Sequence, residues 1–91
     1  MKNISIVDEN EVDEFYLLVS KNVQRIRKEK KKPQLDLVLE IGLKSISYYS
    51  KCERCVEKHH FNLKNLYAIA KALEVDICEF FIKKEEGKKV G

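Results

Sequence analysis

Ninety-one residues suffice for one small domain with a modest core. At 44% apolar and 36% charged, with one Pro and three Gly, the chain has the composition of a folded protein but little material for the tight turns of an all-β fold. No apolar run approaches the roughly 20 residues that cross a bilayer. The start, Met1 to Val7, lacks the long apolar core of a secretory signal, and the cysteines Cys52, Cys55 and Cys78 are odd in number; both point to a cytoplasmic chain with reduced thiols.

The net charge of +3 is unevenly spread. Residues 1–14 set Lys2 against Asp8, Glu9, Glu11, Asp13 and Glu14, a sum of −4, which leaves +7 for the remainder. Lys21, Arg25, Arg27, Lys28, Lys30, Lys31 and Lys32 crowd together against Glu29 alone. Such a cluster suits a polyanion such as nucleic acid, and equally a solvated helix face.

Residues 1–11 read as an N-terminal arm or short strand, with a β-prone run over 4–7 that suits an edge strand, a dimer contact or a disordered arm. From Val12 to Lys31 the apolar positions Val12, Phe15, Val19, Val23 and Ile26 recur every three or four residues, the stripe of an amphipathic helix. Acids in its first turn and lysines in its last complement the helix macrodipole. The contiguous Phe15 to Val19 run makes this helix apolar on more than one side, so a partner surface is expected there.

Pro33 suits the first position of a second helix. Leu37, Val38 and Ile41 give that helix a short apolar face, and Gly42 stops it in the left-handed conformation. Ser45 is a good N-cap for a third helix, with Tyr49, Cys52 and Val56 inward and Ser47, Tyr48, Ser50, Lys51 and Arg54 outward. Residues 58–61 form a loop. Asn62 caps a fourth helix with the stripe Leu63, Leu66, Ile69, Ala70 and Leu73. Asp76 and Glu79 form a capping-box pattern for a short fifth helix through Phe80, Phe81 and Ile82. Residues 83–91 are a charged tail expected to fray. The expectation is one all-α, compact five-helix domain over 12–82, with an extended first helix.

At Gln34 the pattern resembles a known family. The run Gln34-x-x-Leu37-Val38-x-x-Ile41-Gly42 is similar to the first half of a Cro/lambda-repressor-type (XRE family) helix-turn-helix. Leu63-x-x-Leu66-x-x-Ile69-Ala70-x-x-Leu73-x-Val75 resembles the family's fourth helix, and Asn22-Val23-x-x-Ile26-Arg27 the end of its first. The resemblance covers residues 20–82 and implies a lambda-repressor-like fold. It also implies a homodimeric, sequence-specific transcriptional regulator that places its third helix in the major groove of a palindromic operator. Base edges there carry a unique donor and acceptor pattern, while phosphate contacts position the protein. Carried over by position, Gln34 matches the residue that touches phosphate or buttresses the reading helix. Lys44, Ser45, Ser47, Tyr48 and Lys51 fall on the exposed start of the third helix as candidates for base or phosphate contact.

The chain also departs from the family. Pro33 stands where Ser or Thr is usual, and Val38 where a small residue packs between helices. Aligning Glu53 with the acid that closes the third helix takes one extra residue in the turn. The loop over 54–61 is long. Glu74 stands where Gly commonly ends the fourth helix, at a cost of ~1 kcal/mol if a left-handed backbone is kept.

Other chemistries fit less well. Cys52-x-x-Cys55 with His59, His60 and Cys78 has the ligand types of a zinc site, but the spacing is compact and there is no second C-x-x-C. A redox role lacks the strand-before-helix context. Cys52 is better explained as a small core residue. His59 and His60 read as loop residues, one of which can meet phosphate when protonated. With no nucleophile and base at useful spacing, no Gly-rich phosphate loop and no paired carboxylates in an apolar setting, an enzyme is not expected, nor a cofactor or metal. The alternative to a DNA-binding regulator is a protein-interaction module, antitoxin-like or adaptor, using the same scaffold and the acidic, apolar extension from Asp8 to Val19.

Overall fold

The computed structural model describes residues 6–83. They form an all-helical domain: α1 (Glu9–Glu29), α2 (Gln34–Glu40), α3 (Ile46–Arg54), α4 (Leu63–Leu73) and a 3-10 turn (Ile77–Phe81), with no strand among the described residues. Residues 4 and 5 of the expected β-prone run and residues 84–91 of the charged tail lie outside the described residues.

Helix α1 starts three residues earlier than expected, inside the segment taken for an arm. The Asp8 carboxylate accepts the Asn10 N–H at 3.4 Å and caps it. Its C-terminal half supplies the core with Val19, Val23 and Ile26, whereas its first ten residues, 9–18, contribute no buried side chain. Phe15, assigned to the inward stripe, is 49% exposed and stacks on Phe81 at 6.0 Å between ring centres. Polar residues on the buried face of α1 join it to other elements. Ser20 Oγ donates to the Cys52 carbonyl at 2.9 Å, and Asn22 Nδ2 to the carbonyls of Phe80 and Ile82 at 2.9 and 3.0 Å. These bonds satisfy polar groups that would otherwise be buried and unpaired at considerable cost.

All four α-helices end in the same way. The N–H of the left-handed residue returns three residues and the next N–H returns five: Lys31 to Lys28 and Lys32 to Arg27, Gly42 to Leu39 and Leu43 to Val38, Cys55 to Cys52 and Val56 to Lys51, Glu74 to Lys71 and Val75 to Ala70. This is the Schellman closure, which pairs carbonyls the helix leaves open. Only Gly42 (φ +78°) is a glycine; Lys31, Cys55 and Glu74 hold φ of 57°, 55° and 59° with a β-carbon present. The expected left-handed backbone at Glu74 is thus kept.

Several boundaries differ from the sequence reading. Pro33 is the N-cap of α2 rather than its first residue, with extended ψ and no side-chain cap. Val56 lies past the end of α3. Leu63 is 72% exposed, while Leu66, Ile69, Ala70 and Leu73 are buried. The expected fifth α-helix is a 3-10 turn ending at Phe81: Asp76 caps the Cys78 N–H at 2.9 Å. Five residues give too few i→i+4 bonds to favour a regular α-helix. Phe80 from this turn is fully buried, alongside Leu37, Val38, Tyr49, Cys52 and Phe61.

Candidate nucleic-acid interface

Helices α2 and α3 are joined by a short turn at Gly42. The Schellman closure at Gly42 redirects the chain, and Ser45 Oγ, accepting the Tyr48 N–H at 3.0 Å, starts α3. The pair rests on the core through Leu37 and Val38 of α2 and Tyr49 and Cys52 of α3, all buried.

Behind α3 lies a buried polar cluster centred on Glu53, which is 3% exposed. Its Oε2 accepts from Arg27 Nε at 2.7 Å and from the Tyr49 hydroxyl at 2.7 Å. Its Oε1 accepts from Arg27 Nη2 at 3.0 Å and from Gln34 Nε2 at 2.8 Å. Four donors from α1, α2 and α3 therefore fill the four acceptor sites of one carboxylate. Arg27 Nη1 also donates to the Lys32 carbonyl at 2.9 Å, between α1 and α2. Burial alone would raise the Glu53 carboxyl, but hydrogen bonds from Arg27, Tyr49 and Gln34 and the Arg27 charge outweigh it, and the group sits below the ordinary carboxylate range. The same contact with Glu53 outweighs burial at Arg27 and holds its guanidinium more firmly protonated. Burial, then the bond to Glu53, pushes the Tyr49 phenol well up.

The structure sorts the six residues singled out for DNA contact. Lys44, Ser45 and Ser47 come together as an exposed strip over the turn and the first turn of α3. Ser45 Oγ is engaged as a cap but keeps its proton to donate. Gln34 is half-buried with its amide nitrogen on Glu53, which joins the start of α2 to α3. Tyr48, expected to face outward, is half-buried; it packs against the core and meets His59 edge-on at 5.7 Å. Lys51 is half-buried and paired with Glu57 at 3.1 Å, a contact that lowers the Glu57 carboxyl. These two belong to the flank rather than to the exposed strip.

The basic cluster at the end of α1 is likewise divided. Arg27 is neutralised inside the fold, Arg25 pairs with Glu29 at 3.3 Å, and Lys32 pairs with Glu40 at 2.9 Å. Lys21, Lys28, Lys30 and Lys31 are exposed. The sequence places Arg27 in a cluster open to either a polyanion or a solvated helix face, whereas the structure buries it against Glu53. Two buried opposite charges 26 residues apart carry no local signature in the sequence.

His60 stacks on Tyr16 at 3.6 Å and 9°, and His59 Nδ1 lies 3.1 Å from the Glu57 carbonyl. Cys52 is buried, Cys55 ends α3 and Cys78 is exposed, all three as free thiols. Among the described residues no three His, Cys, Asp or Glu side chains are grouped to hold a metal ion, and no helix is long and apolar enough to cross a membrane. Comparisons with protein-family models, with curated proteins and with solved structures give no significant match.

Proposed function

We propose that this chain is a cytoplasmic, homodimeric regulator of the lambda-repressor-like class that binds double-stranded DNA, with α3 as the helix presented to the major groove. The observation that carries the reading is the Glu53 cluster. It ties α3 to α1 and α2, while Lys44 and Ser45 just before that helix and Ser47 in its first turn stay exposed. A helix fixed in this way can enter a groove about 12 Å wide without first paying to order itself. Lys44 supplies a cation for phosphate or a guanine edge, and the two serines supply hydroxyl donors and acceptors. Exposed Lys28, Lys30 and Lys31 add sequence-independent attraction. The buried carboxylate, saturated by four donors, serves to hold α1, α2 and α3 together.

The test is a selection from random duplex DNA, followed by titration at two salt concentrations. Enrichment of a palindrome with half-sites about one helical turn apart, bound more weakly as salt rises, is the expected outcome. Failure to enrich any site would sink the proposal. Lys44→Ala should weaken binding by roughly 1–3 kcal/mol if it reads a base, and less, uniformly across sequences, if it meets phosphate.

One observation favours the second reading, a protein-interaction module. On α2, Leu35 and Leu39 are 53% and 68% exposed one turn apart, beside exposed Asp36 and Glu40. An apolar and acidic face suits a protein better than phosphate. A stable protein complex that survives nuclease treatment, with no DNA site selected, would favour this reading.

A further inference from the structure

The N-terminal half of α1 projects beyond the core, yet its sequence is not that of a solvated helix. One groove of ≈ 300 Å³ is lined by Val7, Glu11, Val12, Phe15 and Tyr16. A second, of ≈ 270 Å³, shares Phe15 and Tyr16 and continues over Leu63, Leu66 and Phe81. Along α4 the exposed stripe runs on from Leu63 to Tyr67, 61% exposed, and to Lys71, whose ammonium sits 5.9 Å from the Tyr67 ring centre. Residues at i and i+4 share a helix face, so 63, 67 and 71 extend the same surface.

This surface has opposite charge at its two ends. Exposed Asp8 and Glu11 lie at the α1 end, and exposed Lys64 and Lys71 at the α4 end, with Phe15 and Leu63 between. None of the ion pairs among the described residues uses Glu11, Lys64 or Lys71. A patch that is acidic at one end, apolar in the middle and basic at the other complements itself when rotated by a two-fold axis through its centre. The acidic end of one copy then meets the basic end of the other, twice, while the apolar centres cover each other.

We propose that this surface is an interface with a second copy of the chain, in which the first turns of α1 from one protomer pack over the outer face of α4 from its partner. The proposal does not rest on DNA binding: it uses neither α2 nor the exposed start of α3. Charge complementarity selects a second copy as the occupant. A basic partner would fit only the α1 end and an acidic one only the α4 end.

Sedimentation of the whole chain without DNA, from about 1 to about 200 µM, tests it. A reversible dimer that weakens as salt rises is expected. Leu63→Glu alters a largely exposed side chain, so the helical signal and melting of the monomer should be retained while dimerisation weakens by at least about tenfold. Glu11→Lys and Lys71→Glu should each weaken the dimer, and the doubly reversed chain E11K/K71E should recover most of the loss, which a merely structural defect would not do. A chain that stays monomeric throughout would assign the patch to another partner and overturn the proposal, as would a dimer indifferent to all three variants. A dimer that disappears in Leu63→Glu but binds no DNA would support the interface while refuting the DNA reading.

Discussion

Replacing Glu53 with Ala would remove the acceptor of four donors at once and leave a guanidinium uncompensated in the interior. Arg27 is 7% exposed and Tyr49 fully buried, so water cannot take over from the carboxylate without opening the fold. Removing one member of a buried ion pair costs about 3–5 kcal/mol. Over 91 residues, at ~0.05–0.15 kcal/mol per residue, the whole stability is about 5–14 kcal/mol. The variant is therefore expected to lose about a fifth or more of its stability, and to melt far below the parent. By contrast, an Arg27→Met, Glu53→Leu double substitution removes both charges together, and it should be markedly less damaging than the two single losses added. The assay is urea unfolding of the parent, Glu53→Ala, the single variants Arg27→Met and Glu53→Leu and their double variant, followed by far-ultraviolet circular dichroism at neutral pH. A loss under about 1 kcal/mol in Glu53→Ala, or strict additivity in the double variant, would refute a cluster that acts as a unit.

The same carboxyl sets the acid limit of the fold. Its folded value lies below the ordinary one, so its contribution is present above the unfolded value of about 4.3 and is lost as pH falls through the folded value. Urea midpoints should hold from pH 7 to about pH 5 and drop below about pH 4; in the double variant Arg27→Met, Glu53→Leu the drop should be shallower, and an equal drop would assign the acid sensitivity to other groups. Glu74→Gly tests the helix endings: with φ at 59° the β-carbon is strained, and glycine should raise stability by about 0.5–1 kcal/mol in the same unfolding assay. A loss there would mean that the Glu74 side chain contributes more than its backbone strain costs.

Much of the local structure was legible in the sequence because it has local causes. Ser45 and Asn62 cap helices since a short side-chain oxygen can reach an N–H three residues on, and the structure has both bonds. Gly42 ends α2 because the Schellman closure calls for a positive φ. The buried stripe of α4 from Leu66 to Leu73 follows from the 3.6-residue period. Signals of this kind lie within about four residues of one another, and they fixed the all-helical class and the order of the elements.

What the tertiary structure alone decided has causes far apart in the chain. Arg27 and Glu53 are separated by 26 residues, and nothing near either one distinguishes a buried guanidinium from a solvated one. Their meeting removes Arg27 from the basic surface, and the same carboxylate turns Gln34 inward. Tyr48 and Lys51 read as outward from helix periodicity, yet the loop after α3 brings His59 and Glu57 back against them. Phe15 read as core, but the core ends at Val19 and leaves Phe15 at its edge. Periodicity states which face of a helix is apolar. Where the neighbouring elements end, and so how far along α1 that face is covered, depends on the packing of the whole chain.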